Sequence, residues 1–166
     1  MNFDQNKANQ AISKLTNPFL LKLYLFNNLP AAWFVGIGLK SLSLEQAEVR
    51  LPYSWWSKNP FQSIYFTALL AAGEFSSGVI AAAILKGFKG KISMLVSHVE
   101  ADFIKKAKGV CIFTSSDGIA ILNCIQTAVR TGEAQTIIAK SIATNKSGEV
   151  VAEVRVTWTF KLKVES

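Results

Sequence analysis

Histidine is almost missing from this sequence. His98 is the only one in 166 residues, so no histidine-based triad can be assembled around it. Cysteine is nearly as scarce: Cys111 and Cys124 show no CxxC spacing and have no companion histidines. They read as buried thiols of a cytosolic protein, with a disulfide as the alternative. The chain also lacks a G-x-S-x-G elbow, a P-loop, a G-x-G-x-x-G turn and any cluster of metal ligands, which removes the common sequence signals of hydrolase-elbow, nucleotide and metal chemistry. Acids are few, 11 against 18 lysines and arginines, for a net charge of +7. Such a surplus suits an anionic partner: nucleic acid, an acidic membrane or a phosphate-bearing molecule. The cations are scattered, however, with clusters only at Lys86, Lys89 and Lys91 and at Lys105, Lys106 and Lys108. That pattern reads as solvated surface, and nucleic acid is not expected as a partner. The first residues lack the basic start, apolar run and cleavage site of a signal peptide, so the expected location is the cytoplasm.

Half of the residues are hydrophobic and 17% are charged, enough for one sizeable core and too little chain for two. One domain over 1–166 is expected, with a helical extension over 1–30 and a core over 31–166. Residues 5–29 read as two short helices. Asn17 followed by Pro18 supplies an N-cap and a proline at the first helical position. The second helix is apolar nearly all round and must bury against the body of the protein, a partner subunit or lipid. Pro30 is expected to end it.

Trp33 to Gly38 reads as a short apolar strand, and Glu45 to Leu51 alternates as a half-buried one. A long helix is expected over about 61–86. It is long enough to span a bilayer, which takes roughly 20 residues, but Glu74 in its middle and the amphipathic remainder favour a buried helix of a soluble protein. Strands are expected over 91–99, 110–115 and 134–144, and a helix over 117–132 capped by Ser116 or Asp117. A turn at Asn145 to Gly148 leads into a final strand with clear alternation from Val150 to Leu162. His98 would share a strand face with Ile92, Met94 and Val96, as a structural histidine. Strands gathered around one dominant helix make the fold class α+β, an antiparallel sheet wrapped round that helix.

Glu74 is the carboxylate with chemical promise. Leu70, Ala71, Ser77 and Gly78, three and four positions away, bring no cation to it. Burial would raise its pKa and suit it to general-base work, whereas an ordinary surface or interface glutamate is the plainer reading. Free N–H groups at Ser63 through Phe66 would polarise a carbonyl oxygen at the helix start. The rise from Phe66 to Glu74 is about 12 Å, roughly two turns. A homodimer would bridge that gap by facing the helix start of one subunit with the carboxylate of the other.

The segment from Asn59 to Gly78 resembles the signature of PaaI-like hotdog thioesterases. In that family an asparagine or glutamine precedes a His-Gly-Gly helix start, and an acid follows two turns later. Asn59, the run Tyr65-Phe66-Thr67 and Glu74 stand at the matching positions. The stretch Val99 to Gly109 is similar to the family's strand, basic loop and next strand, and Asn145 to Glu153 to its closing hairpin. Together these cover roughly residues 36–162, and the text is most similar to a little-characterised branch.

The resemblance implies a hotdog fold, homodimers or dimers of dimers, and metal-free hydrolysis of acyl-CoA or related acyl thioesters. No cofactor is implied beyond the coenzyme A that is part of the substrate. Glu74 would activate water, the Phe66 N–H would hold the thioester oxygen, and Asn59 would orient Glu74 or the water. Tyr65, Thr67, Ser77 and Gly78 would line the substrate site, and Lys105, Lys106 and Lys108 would meet the CoA phosphates. One departure is plain: Tyr65-Phe66-Thr67 replaces His-Gly-Gly, so the close approach that glycines permit is lost. A non-catalytic hotdog that binds acyl groups or serves as an interaction module is the second reading. A hotdog dehydratase ranks third, because it would need a histidine near the helix start. Contact of residues 18–29 with a membrane surface is a separate expectation.

Overall fold

The computed structural model describes residues 3–163. Three helices lead the chain: α1 (Gln5–Thr16), α2 (Pro18–Asn28) and α3 (Pro30–Phe34). Asp4 caps α1 by accepting from the N–H groups of Asn6 and Lys7 at 3.1 and 3.2 Å. Asn17 caps α2 in the expected way, accepting from Phe19 and Leu20 at 3.0 and 3.2 Å. Strands β1 (Gly38–Leu42) and β2 (Ala47–Leu51) precede the long helix α4 (Phe66–Leu85). Then come β3 (Ile92–Phe103), β4 (Cys111–Ser115), α5 (Gly118–Thr131), β5 (Gln135–Thr144) and β6 (Val150–Leu162).

All six strands form one sheet in the order β1-β2-β4-β5-β6-β3, and every neighbouring pair is antiparallel. α4 packs across β2, β4, β5 and β6, with α5 beside it on the same sheet. This is the α+β hotdog arrangement, with a helical segment added at its N-terminal side. The alternation in β6 becomes burial: Ala152, Val154, Val156, Trp158 and Phe160 point into the core while Glu153, Arg155, Thr157 and Thr159 between them are partly exposed. Outside, Arg155 ties β6 to β3 through Glu100 and Asp102 at 3.0 and 2.7 Å, and also holds Glu153. Those carboxylates hold the guanidinium's proton more tightly than usual.

The helix can lie this close to the sheet because its facing residues are small. A Cβ on Gly73 would fall 2.6 Å from Cβ and Cγ2 of Val154, so only glycine fits at that crossing. Three residues on, Ser76 Oγ donates to the Gly73 carbonyl at 2.8 Å and lies 2.7 Å from Ser141 Oγ of β5. The pair satisfies two hydroxyls that are otherwise cut off from water. By length and composition α4 could cross a membrane, but 72% of its apolar window is buried within the fold.

Four local expectations are corrected. Trp33 and Phe34 end helix α3 rather than starting a strand, because Pro30 opens a new helical turn at its first position instead of closing the chain into extension. The first strand starts at Gly38. α4 begins at Phe66, not near 61, since the backbone before it bonds to distant loops. His98 does not share the face of Ile92, Met94 and Val96. A bulge between Val96 and His98 shifts the register, so His98 pairs with Thr157 and is exposed. Asp117 occupies the position before α5, but its carboxylate accepts from the Lys140 N–H at 2.6 Å instead of capping the helix.

Candidate functional site

The approach to α4 is an irregular loop held by two side chains. Ser57, almost fully buried, donates to the Pro52 carbonyl at 2.7 Å and accepts from the Ser54 N–H at 2.9 Å. Asn59 closes the next turn. Its Oδ1 accepts from the N–H groups of Phe61 and Ser63 at 2.9 and 3.2 Å, and its Nδ2 donates to Ser63 Oγ at 3.0 Å. These bonds hold Gln62 at a φ of 58°, a left-handed conformation unusual for a residue with a side chain. Asn59 therefore shapes the loop, and within one chain it does not reach Glu74.

The N–H groups of Ser63, Ile64 and Tyr65 are not free. They donate to Asn59 Oδ1, to the Ala107 carbonyl at 2.9 Å and to the Ser57 carbonyl at 2.7 Å. The usable donors are one step later. Tyr65 takes the capping position with extended backbone and no side-chain cap, and its carbonyl accepts from Ala68 and Leu69. The N–H groups of Phe66 and Thr67 have no acceptor among the described residues. They carry the positive end of a five-turn helix dipole to the surface.

This helix start opens on a cleft of about 580 Å³. Its walls come from the 59–66 loop, Leu69 and the segment from Phe103 to Ala107, so Asn59, Tyr65, Phe66, Lys105 and Lys106 meet there. The Phe66 ring is half-exposed and stands edge-on to Tyr65 and Phe103, with centroids 4.9 and 6.2 Å away. Lys105 pairs with Glu149 at 2.6 Å, and that contact with Asn145 holds the Glu149 carboxyl below its usual pKa. Lys106 and Lys108 are exposed and make no ion pair among the described residues.

Glu74 belongs to a second, smaller cavity of about 220 Å³, lined by Leu15, Tyr24, Leu29, Phe75, Met94 and Trp158 among others. It forms no salt bridge among the described residues, and burial raises its pKa. Gly78 keeps the floor open: a Cβ there would lie 3.2 Å from the Trp158 ring and 3.3 Å from Glu74 Oε1. Ser77 faces inward. Its hydroxyl accepts from Trp158 Nε1 at 2.9 Å and donates to the Glu74 carbonyl at 3.2 Å, so it fixes the tryptophan that walls the cavity.

Sequence reasoning missed Tyr24. By its pattern α2 is only an apolar cover, yet its phenol lines the Glu74 cavity, and the phenol pKa is raised by burial and by the nearby carboxylate. The signal was available, since Tyr24 is the one phenol among the apolar side chains of that helix. The structure thus gathers Asn59, Tyr65, Phe66, Lys105 and Lys106 at one cleft and Glu74 with Gly78 at another. No group of three or more His, Cys, Asp or Glu side chains placed to hold a metal occurs among the described residues.

A family model described as Domain of unknown function (DUF4442) matches residues 19–160. No curated protein matches the chain. Among solved structures, a Pseudomonas aeruginosa protein of unknown function, PA5026, described as a probable thioesterase, is similar at 20% identity. It covers 90% of this chain and 99% of its own length with a TM-score of 0.68. A Chlorobaculum tepidum protein of unknown function reaches a TM-score of 0.72 at 13% identity, covering 91% of this chain and 99% of its own. The Haemophilus influenzae thioesterase HI1161 is 12% identical with a TM-score of 0.64, over 86% of this chain and 90% of its own. At these identities the likeness establishes the fold, a hotdog.

Proposed function

The chain belongs to the family described as Domain of unknown function (DUF4442), whose model spans most of it, and on that premise we propose that it hydrolyses acyl-CoA or related acyl thioesters as a homodimer. One observation carries this reading. Phe66 and Thr67 leave backbone N–H groups free at a cleft edged by lysines, and a partly buried carboxylate without a cation lies two turns along the same helix. Donors fixed at a helix start stabilise the negative charge that develops on a thioester oxygen during attack. Glu74, with its raised pKa, is a stronger base than an exposed glutamate. It takes a proton from water as the water oxygen bonds to the carbonyl carbon. The tetrahedral intermediate then collapses, the C–S bond breaks, and its electron pair leaves on the thiolate, which is protonated in turn. Coenzyme A takes part only as the leaving group of the substrate, and its phosphates suit Lys106, Lys108 and Lys105.

The distance between the two cavities supports a dimer. β3 is an edge strand, paired on one side only. Its end, Phe103, packs against Phe66, whereas Met94 near its start lines the Glu74 cavity. Antiparallel pairing of two β3 edges about a two-fold axis would bring the helix start of one protomer towards the carboxylate of the other. The test is thiol release from a panel of acyl-CoAs by the wild type and by Glu74→Ala. Turnover that ignores the substitution would eliminate this mechanism.

A second reading is favoured by one feature, the half-exposed Phe66 ring and its neighbour Tyr65 where the resembling family has glycines. On that reading the cleft binds acyl groups without cleaving them. Retained lipid or CoA in native mass spectra, with no hydrolysis across the panel, would mark it.

A further inference from the structure

A continuous run of aromatic rings lies outside both cavities. Phe26 of α2 meets Trp33 of α3, Trp33 meets Phe34, Phe34 meets Trp56, and Trp56 meets Trp55, with successive centroids 5.3, 5.3, 5.6 and 4.8 Å apart. Three separate segments, α2, α3 and the loop after β2, contribute to it. Phe19 and Leu23 extend the run along α2, since they fall on the helical face of Phe26. Leu21 and Leu25 take the buried side. The rings are open to solvent: Phe19 is 73% exposed, Trp55 69% and Trp56 61%. Water-exposed tryptophan and phenylalanine in such a density mark a surface that is covered in use.

The segments that supply the run carry charge of one sign. From residue 5 to 44 and from 51 to 73, the segments that supply it, the sequence contains no aspartate or glutamate. Lys22 projects from α2, and Lys58 Nζ sits 5.9 Å from the centre of the Trp55 ring. Neither lysine is in a salt bridge among the described residues. Aromatic rings that seek the polar boundary of a bilayer, set among unopposed lysines, complement an anionic lipid surface.

We propose that the Phe19–Phe26–Trp33–Phe34–Trp56–Trp55 surface docks this protein on an anionic phospholipid bilayer. The rings sit at the level of the headgroups and acyl boundary, with Lys22 and Lys58 against the lipid phosphates. The loop that carries Trp55 continues through Lys58 to Asn59 at the wall of the α4 cleft, so docking turns that cleft towards the membrane. This inference does not depend on the thioesterase reading.

The experiment is co-sedimentation of the full chain with vesicles of phosphatidylcholine alone and of phosphatidylcholine with phosphatidylglycerol. Binding is expected to the anionic vesicles and to weaken as salt is added. Brominated acyl chains should quench the tryptophan emission of the unaltered protein, a readout independent of any variant's folding. Replacing Lys22 and Lys58 by glutamine should lower vesicle partition by roughly fivefold per lysine. The double variant Trp55→Ala, Trp56→Ala should lose most of the quenching. No binding to anionic vesicles, or equal binding by all variants, would overturn the proposal. So would self-association in sedimentation velocity that the double tryptophan variant abolishes while vesicles remain unbound, which would assign the face to a second copy of the chain.

Discussion

Gly73→Ala separates helix propensity from packing at the crossing that positions the site. On propensity alone the change should stabilise a mid-helix position by about 0.5–1 kcal/mol. The structure predicts the opposite. The new methyl would lie 2.6 Å from two carbons of Val154 and 2.9 Å from a third, against an ordinary contact of about 3.6 Å. The helix must therefore lift by about 1 Å, or the fully buried Val154 must leave its rotamer, at a cost of about 1–3 kcal/mol. Net destabilisation of about 1–2 kcal/mol should lower Tm by roughly 3–6 °C in a chain of this size. Val154→Ala alone should cost about 2 kcal/mol through its cavity. The double variant should be more stable than the sum of the two by about 1 kcal/mol or more, because the methyl fills the space the valine leaves. Urea denaturation of the four proteins measures the cycle. Thiol release should follow it, falling in Gly73→Ala by up to about a hundredfold and recovering in the double variant, since a 1 Å displacement misplaces reacting groups. A stabilised Gly73→Ala protein, or strictly additive costs, would refute the packing argument.

Burial raises the Glu74 pKa in the folded state, so the folded protein binds its proton more tightly than the unfolded one. Its contribution is thus most favourable below the unfolded pKa and is lost as pH rises through the folded pKa. Glu74→Gln should remove that decline, giving a more stable protein at neutral pH and flatter urea titrations above the ordinary glutamate pKa of about 4.3, while hydrolysis falls about a hundredfold or more. Trp158→Phe removes the bond to Ser77 Oγ inside the core and should cost about 1–2 kcal/mol in chemical denaturation. Lys105→Ala should leave Tm unchanged, because its partner Glu149 is exposed. Together with Lys106→Ala it should raise KM for acyl-CoA at constant kcat, and a fall in kcat alone would contradict a role in phosphate binding.

Much of the frame was legible because it rests on local periodicity. The alternation of β6, the cap at Asn17 and the small-residue stretch around Gly73 each announced an element, and the structure holds all three. What failed depended on contacts between distant segments. The start of α4 is set by Ser57 and Ala107, which take up the N–H groups of Tyr65 and Ile64, and no pattern within residues 61–66 records that. One bulged residue in β3 turned His98 outward, a change to which a period of two is blind. Glu74 was recognisable as an acid among small neighbours, but Tyr24 reached its cavity from another helix. The aromatic run was invisible for the same reason, being assembled from three segments.

Subunit complementation tests the central claim, a site shared between two copies, most directly. Phe66 is the first residue of α4, and Tyr65 before it has a φ of −67° and a ψ of 138°, so Phe66→Pro deletes one donor N–H without disturbing the helix. Phe66→Pro and Glu74→Ala should each abolish thiol release alone. Unfolded and refolded together, they should recover about a quarter of the wild-type rate, because half of the dimers are mixed and each keeps one intact site of two. A mixture no more active than its parents, each folded and dimeric, would contradict the shared site.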